Sequence, residues 1–366
     1  MRNLFKDHIV ELKRYQTSSG RDIEGLRLDR NERVDPLPSE VMNDIFSQFT
    51  PDQLSAHPES DILYDKISRF LGVSSGQIYI TNGITEGISF LYSTLCSPQH
   101  NVVVLDPTYP MYSIYASLFN VEYRPFTYGD DLKPDWSTLE AAIDENTAFV
   151  VIANPNLPVE SAFGASDLLR LAQLCKQKGC GLVVDEAYHH FGAGSALSLL
   201  DSFDNLIVMR TFSKAFGLAS IRLGYMVSSA DIIGYLSKTR SIVESNTLSM
   251  GVAGYMLDHL DIMQAHVESV KEGAAFLRDA LDAEGLRWHG GVFTNGLLIF
   301  LEGAGSPEEL IDFMRERKIY IRGSFAAPFD QCARVSIGNK ASMEVFVGAF
   351  RDWLALSSGT KLSANS

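Results

Sequence analysis

Lys214 stands in a short polar loop after an apolar run, Leu206 to Met209, which predicts a buried strand. Ser213 precedes the lysine, and Arg222 follows eight positions later. A lysine held near apolar groups loses part of its preference for the charged form, so its amine becomes available as a nucleophile. A hydroxyl and a guanidinium beside it suit a phosphate group. An amine that attacks a carbonyl, next to a phosphate cradle, is what pyridoxal 5'-phosphate (PLP) requires.

Polar groups also follow other predicted strands, and ligands in open α/β sheets bind beyond the carboxyl ends of the strands. Asp185 follows the apolar run 182–184, and a carboxylate there can pair with a pyridine nitrogen and make the ring a better electron sink. Tyr188 is then placed to hydrogen-bond the ring's phenolic oxygen. Tyr109 follows the run 102–105, where its ring could stack on the cofactor.

The segment 81–87 follows a fourth predicted strand and begins a helix. Free N–H groups at a helix start, with the hydroxyl of Thr85, form an anion site. Taken singly, each of these features has an ordinary explanation: a solvated loop lysine, a strand-end carboxylate, a helix cap or a surface tyrosine. Their coincidence at strand ends favours a site for PLP.

Composition sets the broad class of protein. The chain has 366 residues, more than one hydrophobic core usually serves, so two lobes are expected. Apolar residues make up 46% and charged residues 21%, as in an ordinary globular protein. The formal net charge of -14 argues against nucleic acid or an anionic membrane surface as the main partner.

The cysteines and the N-terminus favour a reduced, cytoplasmic protein. The four cysteines form no C-x-x-C pair and show no zinc-like spacing. No signal peptide and no segment of bilayer length is recognisable. We expect no metal site, because the adjacent His189 and His190 lack a third ligand and on a strand would point to opposite faces.

Short apolar runs alternate with helical segments up to about residue 247, which predicts a mostly parallel sheet covered by helices on both faces. Residues 249–284 could form one long helix or two in series, and a smaller α/β lobe follows. The expected fold class is therefore α/β, with a large and a small domain. The expected divisions are an N-terminal arm and part of the small domain at 1–40, a large PLP-binding domain at 41–248, an interdomain helix and small C-terminal domain at 249–356, and a disordered tail at 357–366.

The chain resembles the fold-type I aminotransferases of class I and II, and within them the histidinol-phosphate aminotransferases. The segment 211–216 with Arg222 matches the family's Schiff-base motif closely. The resemblance covers about residues 10–355. Further matching motifs are Asp185-Glu186-Ala187-Tyr188, Pro107-Thr108-Tyr109, Tyr15-Gln16, Asn31-Glu32, Thr294-Asn295 and Arg334-Val335-Ser336-Ile337-Gly338.

The resemblance implies PLP as cofactor, with Lys214 as the Schiff-base lysine of a transaminase that works by a ping-pong mechanism. Its substrates would be an amino acid or amino-alcohol phosphate and a 2-oxo acid. It also implies a homodimer with a shared active site. The implied cofactor-binding residues are Ile84, Thr85, Tyr109, Asp185, Tyr188, Thr211, Ser213 and Arg222, and the implied substrate-binding residues are Tyr15, Asn31, Arg322 and Arg334.

One departure from the family concerns the cofactor's phenolic oxygen. Family members carry Asn-Pro-Thr-Gly after the fourth large-domain strand, and that Asn donates to this oxygen. Leu157 holds the Asn position here, and its apolar side chain cannot donate. We expect the Schiff base to hold its proton differently, because a hydrogen bond is missing. Asn154 or Asn156 could compensate, and the sequence leaves this open.

A second departure concerns the substrate. His57 replaces a family tyrosine that contacts phosphate in the partner subunit's site. A tolerated change and a different substrate are equally compatible with this histidine. Two further readings stay open: a decarboxylase of the threonine-phosphate type, which shares the fold and motifs, and a non-catalytic binding module. The non-catalytic binding module is disfavoured because the chain retains Lys214, Asp185 and Arg222.

Overall fold

The computed structural model describes residues 4–13, 21–22, 24–323 and 325–364. Its strands are β1 Leu26–Arg27, β2 Ile78–Thr81, β3 Asn101–Leu105, β4 Glu122–Phe126, β5 Thr147–Ala153, β6 Gly181–Asp185, β7 Leu206–Thr211, β8 Gly224–Val227, β9 Trp288–Gly290, β10 Gly296–Phe300, β11 Ile319–Tyr320 and β12 Cys332–Ser336. Its helices are α1 Asp7–Glu11, α2 Ser39–Ser47, α3 Pro51–Ser55, α4 Asp61–Leu71, α5 Ile84–Leu95, α6 Met111–Phe119, α7 Trp136–Ala142, α8 Ala165–Lys178, α9 Ala230–Leu236, α10 Thr247–Asp258, α11 Leu260–Ala283, α12 Pro307–Glu316 and α13 Lys340–Ala364.

The large lobe is built on a seven-stranded sheet of order β2-β8-β7-β6-β5-β3-β4. Its strands pair in parallel except β8, which is antiparallel to both β2 and β7. Side chains alternate between the two faces, so Val102 and Val104 enter one hydrophobic core while Val103 and Leu105 enter another. A sheet buried on both faces explains the unbroken apolar runs in the sequence, and the α/β fold class is confirmed.

The sequence analysis did not predict the edge strand β4. It carries Pro125 and the charged residues Glu122 and Arg124, and β3 is its one neighbour in the sheet. A proline and charges are typical of an edge strand, where one row of hydrogen-bonding groups needs no partner strand. The apolar pattern that reveals central strands is therefore absent here.

The smaller lobe contains the antiparallel sheet β12-β10-β9 and the parallel pair β1-β11. The pairing of β1 with β11 joins the chain before α2 to this lobe. Residues 249–284, read from the sequence as one helix or two, form α10 and α11, which are interrupted at His259. Helix α11 packs along α13, which buries Phe346 and Phe350.

Helix α13 continues to Ala364, where the sequence predicts a disordered tail from residue 357. Once a helix is nucleated, each added residue gains one hydrogen bond, so a helix anchored by buried aromatic side chains can extend through Ser- and Gly-containing sequence. None of the helices within the described residues is long and apolar enough to cross a membrane.

Candidate active site

Asp185 ends β6, and its carboxylate is buried with 4% of the residue exposed. The Tyr112 hydroxyl donates to Asp185 Oδ2 at 2.8 Å, and the Ala187 N–H donates to Oδ1 at 3.0 Å. Burial raises the pKa of Asp185 to about 6, against the opposing effects of these two bonds and of the Lys214 charge. The carboxylate is thus costly to ionise unless a cation reaches it.

Lys214 lies just beyond β7, in the loop that crosses above the sheet. Its Nζ donates to the backbone oxygens of Asn31 at 3.0 Å and Arg30 at 3.3 Å. The same Nζ lies 5.4 Å from the centroid of the Tyr188 ring. The amine is therefore held between the N-terminal segment and Tyr188, at the carboxyl edge of the sheet.

Arg222 and the start of α5 form a concave, polar corner. Arg222 adopts a left-handed backbone conformation with φ of 53° at the end of a short 3-10 turn. A Cβ on Gly83 would lie 2.8 Å from Arg222 Nη2, so the guanidinium can approach the helix start because residue 83 has no side chain. The first N–H groups of α5, which begins at Ile84, lie at this corner.

Hydroxyl groups complete the corner. Thr211 Oγ1 donates to Ser213 Oγ at 3.0 Å and accepts from the Ser213 N–H at 3.1 Å, which fixes the turn before Lys214. Thr85 Oγ1 and the Tyr109 hydroxyl are 3.1 Å apart. Tyr109 remains 42% exposed.

Asn31 closes the site from the side of the smaller lobe. Its Nδ2 donates to the Tyr188 hydroxyl at 3.0 Å. Its backbone N–H donates to Ser336 Oγ at 2.8 Å, and that hydroxyl donates to Asn31 Oδ1 at 2.9 Å. These contacts join the N-terminal segment, β12 and the large lobe at one point.

Two arginines stand side by side in the smaller lobe. Arg322 and Arg334 face each other across an antiparallel bridge, with the Arg322 N–H donating to the Arg334 oxygen at 3.0 Å. Arg334 Nη2 also donates to the Asp29 oxygen at 2.6 Å, close to Asn31 in the chain. Tyr15, the remaining residue implied by the family resemblance, lies outside the described residues.

The donor set fits PLP. A lysine amine is available for the carbonyl, and the buried carboxylate of Asp185 can meet a protonated ring nitrogen. The corner at Gly83 offers N–H groups and a guanidinium to the phosphate, and Tyr188 offers a hydroxyl. The residues predicted from strand ends thus converge on one edge of the sheet.

Sequence reasoning missed Tyr112 and Glu160. Tyr112 is fully buried on α6, where its periodic position resembles that of a core residue, and its bond to Asp185 is visible only in the fold. Glu160 is 7% exposed and accepts from the N–H groups of Val292 and Phe293 and from the Thr294 hydroxyl. It follows directly on the departure at Leu157, which was the available signal.

His189 and His190 were placed on a strand from the sequence, and this was wrong. They lie in a 3-10 turn, His189–Phe191, with their ring centroids 5.2 Å apart. The turn folds the chain back, so that the Ser195 hydroxyl and the Ala196 N–H donate to the Glu186 carboxylate at 2.9 Å and 2.6 Å. Burial lowers the pKa of His190 to about 3, so this histidine is neutral.

The chain matches the family of class I and II aminotransferases over residues 31–350. A histidinol-phosphate aminotransferase of Bacteroides fragilis is 31% identical over 362 residues, covering 96% of this chain and 99% of that protein. The histidinol-phosphate aminotransferase of Sinorhizobium meliloti, solved in complex with PLP, superposes with a TM-score of 0.84 at 24% identity, covering 96% of this chain and 97% of that one.

A second solved structure, the L-threonine-O-3-phosphate decarboxylase of Porphyromonas gingivalis, superposes with a TM-score of 0.77 at 19% identity, over 90% of this chain and 99% of that one. At this identity the likeness shows the fold, and the fold serves more than one reaction. The family match spans most of the chain, and the family's cofactor suits the donor set described above. The chain belongs to the class I and II aminotransferases and is a PLP-dependent transaminase.

Proposed function

We propose that this chain transfers an amino group between an amino acid or amino-alcohol phosphate and a 2-oxo acid, with histidinol phosphate as the first substrate to test. The observation that carries the proposal is that Lys214 and the buried Asp185 lie at one edge of the large sheet, and that the segment 29–31 links this edge to the paired arginines of the smaller lobe. The near full-length similarity to histidinol-phosphate aminotransferases supports the substrate class.

PLP, when bound, supplies an electron sink for the bond broken at the substrate's Cα. Lys214 would hold the cofactor as its Schiff-base lysine, and its amine, once freed by the substrate amine, would move the proton from Cα to the C4′ position of the cofactor. The backbone oxygens of Arg30 and Asn31 accept hydrogen bonds from this amine and so restrict where it can move.

The remaining cofactor contacts are proposed from the geometry and the resemblance. Asp185 would hold the ring nitrogen protonated, and Tyr188 would donate to the phenolic oxygen. Tyr109 would stack on the ring. The phosphate would be held by the N–H groups at Ile84 and Thr85 and by the side chains of Thr211, Ser213 and Arg222.

Arg334 and Arg322 would bind the acidic groups of the substrate, because a planar guanidinium matches carboxylate and phosphate in two parallel hydrogen bonds. The family resemblance also implies Asn31 and Tyr15 as substrate-binding residues. Two cations in one corner suit a substrate with an acidic end more than a neutral amine. The bond at Cα that lies perpendicular to the cofactor ring is the one that breaks, so the orientation of the substrate decides between transamination and decarboxylation. The two arginines set this orientation by holding the acidic groups of the substrate.

The visible absorbance of purified protein during addition of L-histidinol phosphate tests the proposal. A yellow band that bleaches as the amine is consumed supports the substrate. A band that persists rejects this substrate and directs the search to other amino donors. Release of CO2 from L-threonine-O-3-phosphate, without amino transfer, would establish the decarboxylase alternative. Protein that stays colourless with added PLP would overturn the proposal.

We also propose a homodimer in the cytoplasm. Helices α2, α3, α4 and α10 expose large apolar side chains, and α10 packs on both α2 and α4. These side chains include Phe46, Leu54, Ile62 and Leu248. Such a face is typical of a protein–protein contact. The four cysteines are all free thiols, as in a reducing compartment. Light scattering should give twice the 40.5 kDa of one chain, and an unchanged monomer mass would reject the dimer.

A further inference from the structure

Leu157 removes a side-chain amide from the place where the family resemblance expects one. It is 8% exposed and lies in the loop between β5 and α8. The loop carries two side-chain amides, those of Asn154 and Asn156. Both are fully buried, so their hydrogen bonds decide whether either can replace the missing amide.

Both loop amides are used to hold the loop itself. Asn154 Nδ2 donates to the Gly194 oxygen at 3.2 Å, and its Oδ1 accepts from the Phe163 N–H at 2.8 Å. Asn156 Nδ2 donates to the Pro107 oxygen at 2.9 Å and to the Tyr128 hydroxyl, and its Oδ1 accepts from Thr108. Turning either amide toward the cofactor would break two or more buried bonds, which makes compensation by this loop unfavourable.

Asn31 brings another amide to the same place from the other lobe. A Cβ on Gly296, the first residue of β10, would lie 3.1 Å from Leu157 Cδ1 and 3.5 Å from Asn31 Nδ2. The two side chains therefore lie next to each other over one glycine. The leucine fills space, while the asparagine supplies the nearby N–H groups.

Ser336 orients the Asn31 amide. Its Oγ accepts from the Asn31 backbone N–H and donates its own hydrogen to Asn31 Oδ1. The Nδ2 end then faces Tyr188, whose hydroxyl accepts at 3.0 Å and keeps its hydrogen for donation. A hydroxyl that accepts one bond donates the next one more strongly.

We propose that Asn31 is a positioning residue that acts through Tyr188 and takes over the role of the amide absent at Leu157. The proposal rests on the proposed function, in which the Tyr188 hydroxyl donates to the phenolic oxygen of PLP. Negative charge on that oxygen helps Lys214 Nζ to keep its proton. A hydrogen bond donated by Tyr188 draws part of this charge away and so lowers the affinity of Nζ for its proton. The Tyr188 hydroxyl, polarised by Asn31, thus replaces the two direct donors, tyrosine and asparagine, that the family resemblance implies.

The test is the midpoint pH of the visible-absorbance titration of the PLP-loaded protein. Asn31 has a φ of 52°, so Asn31→Gly removes the amide without backbone strain. We expect its midpoint to rise by roughly one pH unit, the scale of one hydrogen bond. Asn120→Gly is the matched control, because Asn120 has a φ of 55° at the exposed end of α6, and its midpoint should equal that of the wild type.

Two double variants separate positioning from a general structural role. Adding Leu157→Asn to Asn31→Gly should return the midpoint toward the wild-type value, because it restores an amide beside the cofactor. In a Tyr188→Phe background, Asn31→Gly should have no further effect, because the residue acts through that hydroxyl. If Asn31→Gly does not fold, Ser336→Ala, which frees the amide to turn, should raise the midpoint in the same direction by a smaller amount.

An unshifted midpoint in Asn31→Gly, or equal shifts with and without the Tyr188 hydroxyl, would overturn the inference while the proposed function stands. A failure of Leu157→Asn to restore the midpoint would also overturn it. These outcomes differ from a failure of the proposed function, in which the wild-type protein binds PLP without transferring an amino group or does not bind PLP at all.

Discussion

The two walls of the site are assembled differently. We name the walls after their proposed roles. The cofactor wall comprises residues 81–85, 109–112, 185–188 and 211–222, and its polar groups lie near the ends of strands of one sheet. The substrate wall comprises residues 29–32, 291–296, 322 and 334–336. It is joined by hydrogen bonds between segments about 300 residues apart, such as that from the Asn31 N–H to Ser336 Oγ.

The two walls should respond differently to substitution. Strand ends hold the cofactor wall against a sheet that is buried on both faces, so its side chains move little. In the substrate wall, β10 and β12 pair in a sheet, but the segment 29–32 is attached to them by single contacts, including Asn295 Nδ2 to the Glu32 oxygen at 3.3 Å and Arg334 Nη2 to the Asp29 oxygen at 2.6 Å. Segments held in this way open at lower free energy than sheet cores. Defects in the first wall should abolish chemistry, and defects in the second should weaken substrate binding.

Removing the nucleophile from the cofactor wall should give the largest effect. Lys214→Ala lacks the amine that attaches PLP and moves the Cα proton, so we expect amino transfer to fall by about a thousandfold or more. Stopped-flow absorbance of the first half-reaction measures this loss. Lys238→Ala is the control, because Lys238 is an exposed lysine whose ammonium lies over the Tyr235 ring, and it should retain wild-type rates.

The next largest effect is expected for Asp185→Asn. The variant leaves a buried cationic ring nitrogen without its counter-ion, so PLP affinity should fall by roughly a hundredfold at pH 7.5. Fluorescence titration with PLP measures the affinity. An affinity within twofold of the wild type would show that Asp185 does not meet the ring nitrogen.

The same variant makes a prediction for the protein without PLP. Burial raises the pKa of Asp185 to about 6, so the folded state binds this proton more tightly than the unfolded state. The resulting stabilisation is complete below about pH 4 and is lost as the pH rises through 6. Asp185→Asn should therefore flatten the pH dependence of Tm between pH 4 and 6. Parallel Tm profiles for the two proteins would contradict this.

The two walls also differ in how much of them the sequence predicts. Lys214, Asp185 and Tyr109 are predicted from the sequence because each follows an apolar run, and parallel strands bring such positions to one edge. The partners of Asn31 were not found, because nothing local links it to Ser336 or Tyr188. A periodic pattern reports which face of an element is buried, and it does not report which distant group lies opposite.

Tyr112→Phe tests a contact within the cofactor wall that only the fold reveals. Its hydroxyl donates to Asp185 Oδ2 at 2.8 Å, and a hydrogen bond to a charged group contributes about 1.5 to 3 kcal/mol. The ionised carboxylate loses that support, so PLP affinity at pH 7 should fall about tenfold or somewhat more. Tyr235→Phe, at a site 69% exposed, is the control, and equal affinities for the two variants would place Tyr112 outside the site.

The smallest effect on turnover should come from Glu160→Gln, which changes the support of the substrate wall. Glu160 accepts from the Val292 N–H at 3.0 Å, the Phe293 N–H at 3.1 Å and the Thr294 hydroxyl at 2.7 Å. A glutamine must turn its NH2 group toward donors, so at least one bond is lost, at a cost of about 1 kcal/mol in the free energy of unfolding. Urea denaturation measures this cost.

Because Glu160 supports the substrate wall, the hydrogen bond lost in Glu160→Gln should raise the KM of the amino donor about fivefold and leave PLP affinity unchanged. Glu145→Gln, at an exposed site, should change neither quantity. A fall in PLP affinity with an unchanged KM would show that the loop carrying Glu160 supports the cofactor wall instead.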